Sequence, residues 1–418
     1  MLSQQNLCSL FTSTALIAFT IGANLALSDS AHAQCYQVTV IQGPECPWPW
    51  PPAGISGEGI NESGDLVGYY YHCGVGGSSE AFMWTAESGL TTLNAPPGVG
   101  TAKALDINDA GQIAGTMGGI VSPDRGFLHD GEFVTLDPPP GGNWSNARAV
   151  NNSGQVVGTV DEPGSGTISA ALWEGGDLTI LGSTLDPWTS ASDINELGQV
   201  AGYMGYPSPL DPTARGVIWD DGNVTILDPI PGGVTSVAKG INNLGQVVGY
   251  GLVPSEEAPL GYFSHPFLWS GGQMTDLGTL PGSDYCIALD INDSGQMIGY
   301  CGSSGQGSWV PFFWQDGVMT NVNDLLAADA DVSISLVLAI NNQGQIAGRG
   351  SGPSSGGAVL LTPFPVSRAD LDGNCTVNPF DLALLLGNWG PCADCPADIN
   401  GDGIVNAFDL GILLGSWT

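Results

Sequence analysis

The sequence predicts a mainly β protein: a seven-bladed β-propeller of four-stranded repeats over residues 35–366, followed by a small α-helical domain over 367–418. Three observations predict it. One short phrase recurs seven times, a lone strand precedes the first copy, and the pattern changes after Pro363-Phe364-Pro365. The phrase is an apolar residue, Asn, two variable residues, Gly, three further residues and Gly. Its copies begin at Ile60, Ile107, Val150, Ile194, Ile241, Ile291 and Ile340, at spacings of 47, 43, 44, 47, 50 and 49 residues. A period of this size marks an array whose units bury their apolar faces only against one another.

Taken in chain order, residues 1–33 read as a secretory signal peptide. Residues 10–27 are largely apolar, Ser28-Asp29-Ser30 is polar, and Ala31-His32-Ala33 is an A-x-A site that places the mature start at Gln34. Export predicts a secreted, extracellular or cell-surface-associated protein. Eight cysteines then remain, an even number that favours disulfides in an exported chain.

Within each copy, an Asn/Gly turn between two apolar runs reads as a hairpin. In the fifth copy the runs are 238–242 and 246–250. Residues 266–269, a Gly-Gly turn and residues 274–280 then supply a third and a fourth strand. The third strand recurs as Ala81-Phe82-Met83-Trp84, Ala171-Leu172-Trp173, Val217-Ile218-Trp219 and Phe312-Phe313-Trp314. His129 holds the Trp position in the second copy and is read as a packing ring.

The fourth strand follows only the first six copies; after the seventh comes 358–361 and the array stops. Residues 35–41, a strand with no repeat of their own, resemble the missing one. Closure by a split unit removes free sheet edges. An open β-solenoid would need a cap and leaves 35–41 unexplained. Cys286 and Cys301 are equidistant from the turn Asn292-Asp293-Ser294-Gly295. A regular hairpin sets them opposite each other, which predicts a disulfide. The pairing of Cys35, Cys46, Cys73, Cys375, Cys392 and Cys395 stays open. The phrases Ile-Asn-x-x-Gly-Gln-Val-Val-Gly and His265-Pro266-Phe267-Leu268-Trp269 resemble the bacterial extracellular HAF-type repeat family over most of 55–350. That resemblance implies export and repetition, and no reaction.

Two acidic segments follow the Pro break, starting at Asp370 and Asp398. Oxygen-bearing side chains fall at loop positions 1, 3, 5, 9 and 12, with a backbone carbonyl available at position 7. The candidate ligands are Asp370, Asp372, Asn374, Thr376 through its carbonyl, Asn378 and Asp381, then Asp398, Asn400, Asp402, Ile404 through its carbonyl, Asn406 and Asp409. This spacing wraps a hard cation in oxygens, and two Ca²⁺ ions are expected. Gly403 occupies position 6 of the second loop, where the chain turns sharply, and Cys375 occupies it in the first. Helices are expected over 382–388 and 410–416, with Leu384, Leu385, Trp389, Leu413, Leu414 and Trp417 packing them together or facing a partner.

Loop, short helix, linker, loop and short helix resemble a type I dockerin over residues 370–418. In that family, loop positions 10 and 11 help to choose the partner. The resemblance therefore implies a partner surface at Pro379, Phe380, Ala407 and Phe408, and a cohesin-like or cell-surface anchoring protein as the partner. Between the loops, Cys392 and Cys395 favour a disulfide over zinc, since oxygen ligands surround them and the chain is exported. With three cysteines in this domain, Cys375, Cys392 and Cys395, one is left to pair outside it or stay free.

Charge narrows the function classes. Lys and Arg total 7 against 41 Asp and Glu, a net charge of -34, although only 11% of residues are charged and mean hydropathy is +0.12. No basic footprint exists for nucleic acid, an anionic membrane surface repels the chain, and cations are its natural small partners. No span after the signal is long and apolar enough to cross a membrane. His72, His129 and His265 have no Ser or Cys motif beside them. Gly352-Pro353-Ser354-Ser355-Gly356 matches a nucleophile-elbow string without its strand–turn–helix setting. Asp161-Glu162 and Glu256-Glu257 lie between second and third strands and read as solvated loop charges.

The sequence thus predicts a secreted, non-catalytic repeat protein that presents a ligand- or partner-binding propeller, a glycan being one candidate ligand, tethered through the calcium loops. The alternative is a polysaccharide-degrading, carbohydrate-active component. A cleft of carboxylates and aromatics where the loops between second and third strands converge discriminates between them, and a purely structural envelope protein predicts no formed pocket.

Overall fold

In the computed structural model the described residues are 34–46, 54–73, 77–119, 123–164, 166–182, 188–208, 211–258, 261–303, 309–327, 330–352, 356–365, 367–392 and 395–417. The expected signal peptide lies outside them. The chain is mainly β, in four-stranded antiparallel units. The third copy pairs Ser145–Val150, Val156–Asp161, Ile168–Glu174 and Asp177–Ile180 in that order, and the fourth copy repeats the arrangement. Copies one and two merge into one eight-stranded sheet through a parallel bridge, Ser79 to Thr101. Copies five and six merge likewise through Ser264 and Tyr285. Cys35–Ile41 pairs with Gly356–Phe364, from Cys35 opposite Phe364 to Ile41 opposite Ala358, and so completes the sheet of the seventh copy.

The Asn and the two Gly of the repeated phrase each have a physical task. In the fifth copy, Asn242 Oδ1 accepts the N–H groups of Leu244 (3.1 Å) and Gln246 (2.9 Å), which holds the turn closed. Its Nδ2 donates to Gln246 Oε1 (2.8 Å) and to the carbonyl of Asn292 in the next copy (3.0 Å). The first Gly, Gly245, takes φ +70°, where a side chain is strained. The second Gly, Gly249, faces a bulge in the first strand, between Ala238 and Gly240. A Cβ there would lie 2.0 Å from the carbonyl oxygen of Val237. The corresponding distance in the seven copies is 1.8 to 2.2 Å, so only glycine fits.

The inter-copy bond runs through all seven asparagines. Asn61 donates to the carbonyl of Asn108 (3.3 Å), Asn108 to Asn151 (2.8 Å), Asn151 to Asn195 (3.1 Å) and Asn195 to Asn242 (3.0 Å). Asn242 then donates to Asn292 (3.0 Å), Asn292 to Asn341 (3.0 Å) and Asn341 back to Asn61 (2.9 Å). A second circuit runs beside it. The backbone N–H of Glu62, Asp109, Asn152, Glu196, Asn243, Asp293 and Asn342 each donates to the side-chain oxygen of the next, and Asn342 returns to Glu62. Apolar cores sit between neighbours: Ile60, Leu66 and Phe82 of the first copy share one with Ile41, Ala347, Ala358 and Leu360 of the last sheet.

Two details differ from expectation. The fourth strand of the fifth copy is Gln273–Asp276 and stops short of 280, because Asp276 Oδ1 accepts the N–H of Gly278 (2.8 Å) and Gly278 takes φ +72°. A single 3-10 turn, Val322–Leu325, follows the sixth copy, capped by Asn321. At the C-terminal end stand two short helices, α1 (Pro379–Gly387) and α2 (Ala407–Gly415). They share a small core of Ala369, Val377, Leu385, Ala397, Ile399, Val405 and Leu413. Disulfides join Cys286 to Cys301, as the hairpin predicts, and also Cys35 to Cys375, Cys46 to Cys73 and Cys392 to Cys395.

Candidate functional site

The two acidic loops are built alike. Asp370 Oδ1 accepts the N–H of Gly373 (2.9 Å) and Asn374 (3.1 Å), and its Oδ2 that of Cys375 (2.9 Å). Asp398 does the same with Gly401 (3.0 Å), Asp402 (3.1 Å) and Gly403 (2.6 Å). Position 12 is buried in both: Asp381 Oδ1 accepts from Leu371 (2.7 Å) and Asp372 (3.1 Å), and Asp409 Oδ1 from Asn400 (3.1 Å). In the first loop Asp370, Asp372 and Asp381 offer oxygens all within 4.8 Å of one another, a spread that one hard cation could bridge. Burial, with Asp381 and Asp372 nearby, raises the pKa of Asp370 despite its N–H donors. Asp409 is lowered, because the N–H groups of Asn406 and Asn400 outweigh its burial.

The sequence reading missed a second task of these residues. Asn378 caps α1 by accepting from Phe380 N–H (2.8 Å), while Asp381 Oδ2 accepts from Asn378 N–H (2.8 Å). Asn406 and Asp409 cap α2 in the same way. This reciprocal cap starts each helix three residues before the expected position; the signal was Asn-x-Phe-Asp ahead of an apolar run. Pro379, Phe380, Ala407 and Phe408 thus begin the helices, all exposed, with Phe380 at 72% and Phe408 at 75%. Leu385 and Leu413 are buried between the helices, whereas Leu384, Trp389, Leu414 and Trp417 face outward. Cys375 takes φ +68°, so it makes the turn expected of glycine while bonded to Cys35.

The array has its own cavities. The loops between second and third strands converge with the starts of the first strands on a cleft of about 830 Å³. Trp144, Trp188, Tyr203 and Tyr206 line it, together with Asp124, Asn146 and Arg148. A neighbouring cleft of about 800 Å³ shares Asp124 and Asn146 and adds Glu58, Tyr69, Tyr71 and Lys103. A further cavity of about 220 Å³, sharing Arg148 with the first cleft and Glu58 with the second, is lined by first-strand residues of all seven copies, among them Asp106, Asp193, Asp290 and Lys239.

His129 packs edge-on against Phe133 (4.8 Å between centroids), and burial lowers its pKa. His265 bonds Asp276 (2.9 Å) and His72 bonds Glu80 (2.7 Å), each on its own sheet. Asp161 accepts three bonds from Asn143 and one from Trp144, so it braces a loop, and those N–H donors hold its pKa low against its burial. Pro353, Ser354 and Ser355 lie outside the described residues.

No family model matches the chain, and no curated protein is similar to it. Among solved structures it is similar to the β-propeller domain of the Trilobed protease from Pyrococcus furiosus, at 10% identity and a TM-score of 0.49, over 74% of this chain and 93% of that one. Pyrococcus horikoshii acylaminoacyl peptidase gives 10% identity and 0.47, over 74% of this chain and 51% of that one. Virginiamycin B lyase from Staphylococcus aureus gives 10% and 0.45, over 78% and 99%. The chain spans about half the length of the acylaminoacyl peptidase. The β-propeller class of the fold rests on the four-stranded sheets and on the asparagine circuit that returns to Asn61, and no reaction transfers at this identity. No helix among the described residues is long and apolar enough to cross a membrane.

Proposed function

We propose that this chain is an exported, non-catalytic, seven-bladed β-propeller that presents a ligand face, and that residues 367–418 are a small helical calcium-binding domain that tethers it to a protein partner. The observation that carries the tether is the duplicated loop frame, the same backbone bonds at Asp370 and Asp398, with hard oxygen donors throughout. Seven blades are supported by the asparagine circuit that returns to its start. The residues fit Ca²⁺: side chains at positions 1, 3, 5, 9 and 12 and the carbonyls of Thr376 and Ile404 would hold it. When bound, the cation supplies positive charge among carboxylates that otherwise repel, and its binding free energy adds to folding stability.

The tether's surface is also duplicated. Phe380, Leu384, Leu386 and Trp389 are exposed on and just beyond α1, and their counterparts Phe408, Ile412, Leu414 and Trp417 on and just beyond α2. A cohesin-like or anchoring protein would cover that apolar area. Four disulfides suit an oxidising compartment. The formed cleft argues against a purely structural envelope role. Glycoside hydrolysis needs two carboxylates across the scissile bond; the aromatic cleft is lined by one, Asp124, among the described residues, and the Glu58 of the adjoining cleft is held by Ser56 and Arg349, which favours binding over cleavage.

Calorimetric titration of the full chain with Ca²⁺ tests the tether. Two sites are expected, with Asp372→Asn and Asp402→Asn each weakening one. No heat of binding, and the same melting of 370–418 with and without chelator, would overturn it.

A further inference from the structure

On the reading that the array presents a ligand face, we infer that the cleft walled by Trp144, Trp188, Tyr203 and Tyr206 binds a neutral oligosaccharide. At about 830 Å³ it falls in the size range of small-molecule sites, which pair apolar walls with a few convergent polar groups. Trp188 and Tyr206 stand edge to face with centroids 6.2 Å apart, and they are 38% and 62% exposed. Rings so placed offer flat faces to the C–H side of a pyranose while its hydroxyls point elsewhere. Groups to receive those hydroxyls are present. The Asn146 side-chain oxygen is buried and has no hydrogen-bond partner among the described residues. Buried polar atoms are nearly always satisfied, so this acceptor at the cleft is suited to a donor such as a sugar O–H.

The charge pattern selects a neutral ligand. Asp124 and Arg148 contribute one charge of each sign to the lining, and the net charge of -34 repels anionic polymers. The first strands at this cleft are the edge strands of their sheets, paired on one side only, so an extended peptide added to such an edge is the competing occupant and enters the test as an outcome. Length is indicated by the adjoining cleft. It shares Asp124 and Asn146, holds a second buried atom without a partner, Thr116 Oγ1, and adds a second ring pair, Tyr69 and Tyr71, at 5.6 Å. A chain of several sugars can lie across both.

The test uses the full calcium-loaded chain and titrates it with hexasaccharides of α-1,4-glucose, β-1,4-glucose, β-1,4-mannose, β-1,4-xylose and β-1,4-N-acetylglucosamine. Heat and tryptophan fluorescence give the affinity. At least one hexamer is expected to bind saturably. Trp188→Ala and Tyr206→Ala, at exposed positions, should each weaken it roughly tenfold, about 1.4 kcal/mol, with melting unchanged; Phe408→Ala on α2 should not. The inference is overturned if none of the five binds, if the cleft variants bind like the parent, or if a peptide library competes at Trp188 where sugars do not. Chromatography of the bound hexamer separates the two readings. Cleavage would keep the saccharide and overturn the non-catalytic role, whereas no binding with intact calcium heats would overturn the saccharide alone.

Discussion

The residue just ahead of each repeated phrase alternates around the array: Gly59, Asp106, Ala149, Asp193, Gly240, Asp290, Ala339. Each Asp links two copies. Asp193 accepts from Ile194 and from Ile241 of the next copy, both at 2.8 Å, and Asp290 accepts from Ile291 and Ile340 at the same distance. Asp106 accepts from Val150 at 2.8 Å. The three carboxyls line the central cavity, and burial raises their pKa values: Asp106 to about 7, Asp290 to about 6, and Asp193 well above the carboxylate range. Repulsion from Asp290 adds to the rise at Asp193 and at Asp106. Because folded values exceed the unfolded value of about 3.9, their stabilising contribution is complete below that pH and is lost as pH climbs through 6 to 7. Lys239, lowered to about 8 by burial and by Arg148, acts only above that pH. The urea midpoint should therefore fall between pH 5 and 7.5. The net charge of the chain produces a slope of its own, so the diagnostic is a comparison: Asp290→Asn should flatten the profile, and an unchanged slope would refute a buried titrating cluster.

At the scale of the element, the hairpin sets two unlike demands on glycine, and they predict an order of damage. Gly295 takes φ +75°, and a Cβ added there would meet nothing within 4 Å, so Gly295→Ala should cost only the left-handed strain, about 1–2 kcal/mol. Gly299 would place its Cβ 2.0 Å from the Ile287 carbonyl and 2.7 Å from the Phe312 ring. Gly299→Ala should cost about 3 kcal/mol or more, or prevent folding; urea denaturation showing the reverse order would refute the close approach. The turn was legible in sequence because its chemistry is local: Asn, Gly and flanking apolar runs. The bulge opposite Gly299 was not, since it depends on pairing register. Nor was the asparagine circuit, whose bonds span 43 to 50 residues and close over 280. Cysteines divide in the same way. Cys286 and Cys301 face each other across one hairpin, whereas Cys46 with Cys73 and Cys35 with Cys375 meet only through the folded array. Of the candidate sites, the acidic loops were readable as a motif, while the aromatic cleft is assembled from loops and strand starts of separate copies and left no local signature.

At the scale of the whole molecule, one disulfide joins the first strand of the array to the first acidic loop. Cys35 opens the strand that completes the last sheet, and Cys375 sits at the sharp turn of the first acidic loop, 340 residues away. Cys375 Sγ also lies 3.6 Å from the carbonyl of Leu325, in the core cluster that holds Tyr36. The segment 367–417 is thereby fastened at its first loop to the strand that completes the last sheet. In the chain-entropy account, cross-linking so distant a pair destabilises the unfolded chain by on the order of 6 kcal/mol. It also ties the backbone of the loop to the strand, so a cation held by Asp370, Asp372 and Asp381 would resist fraying of 36–41, and coupling of this kind is reciprocal. Hydrogen exchange in four states reads it: with Ca²⁺ or chelator, in the parent chain and in the Cys35→Ser/Cys375→Ser double variant. In the parent, chelation should speed exchange at the amides of 36–41. In the variant, exchange there should be faster throughout and indifferent to Ca²⁺, while the second loop keeps its calcium response. Equal calcium sensitivity of 36–41 in both chains would show that the loop and the closing strand fold independently, and the disulfide would then be a staple without a signal.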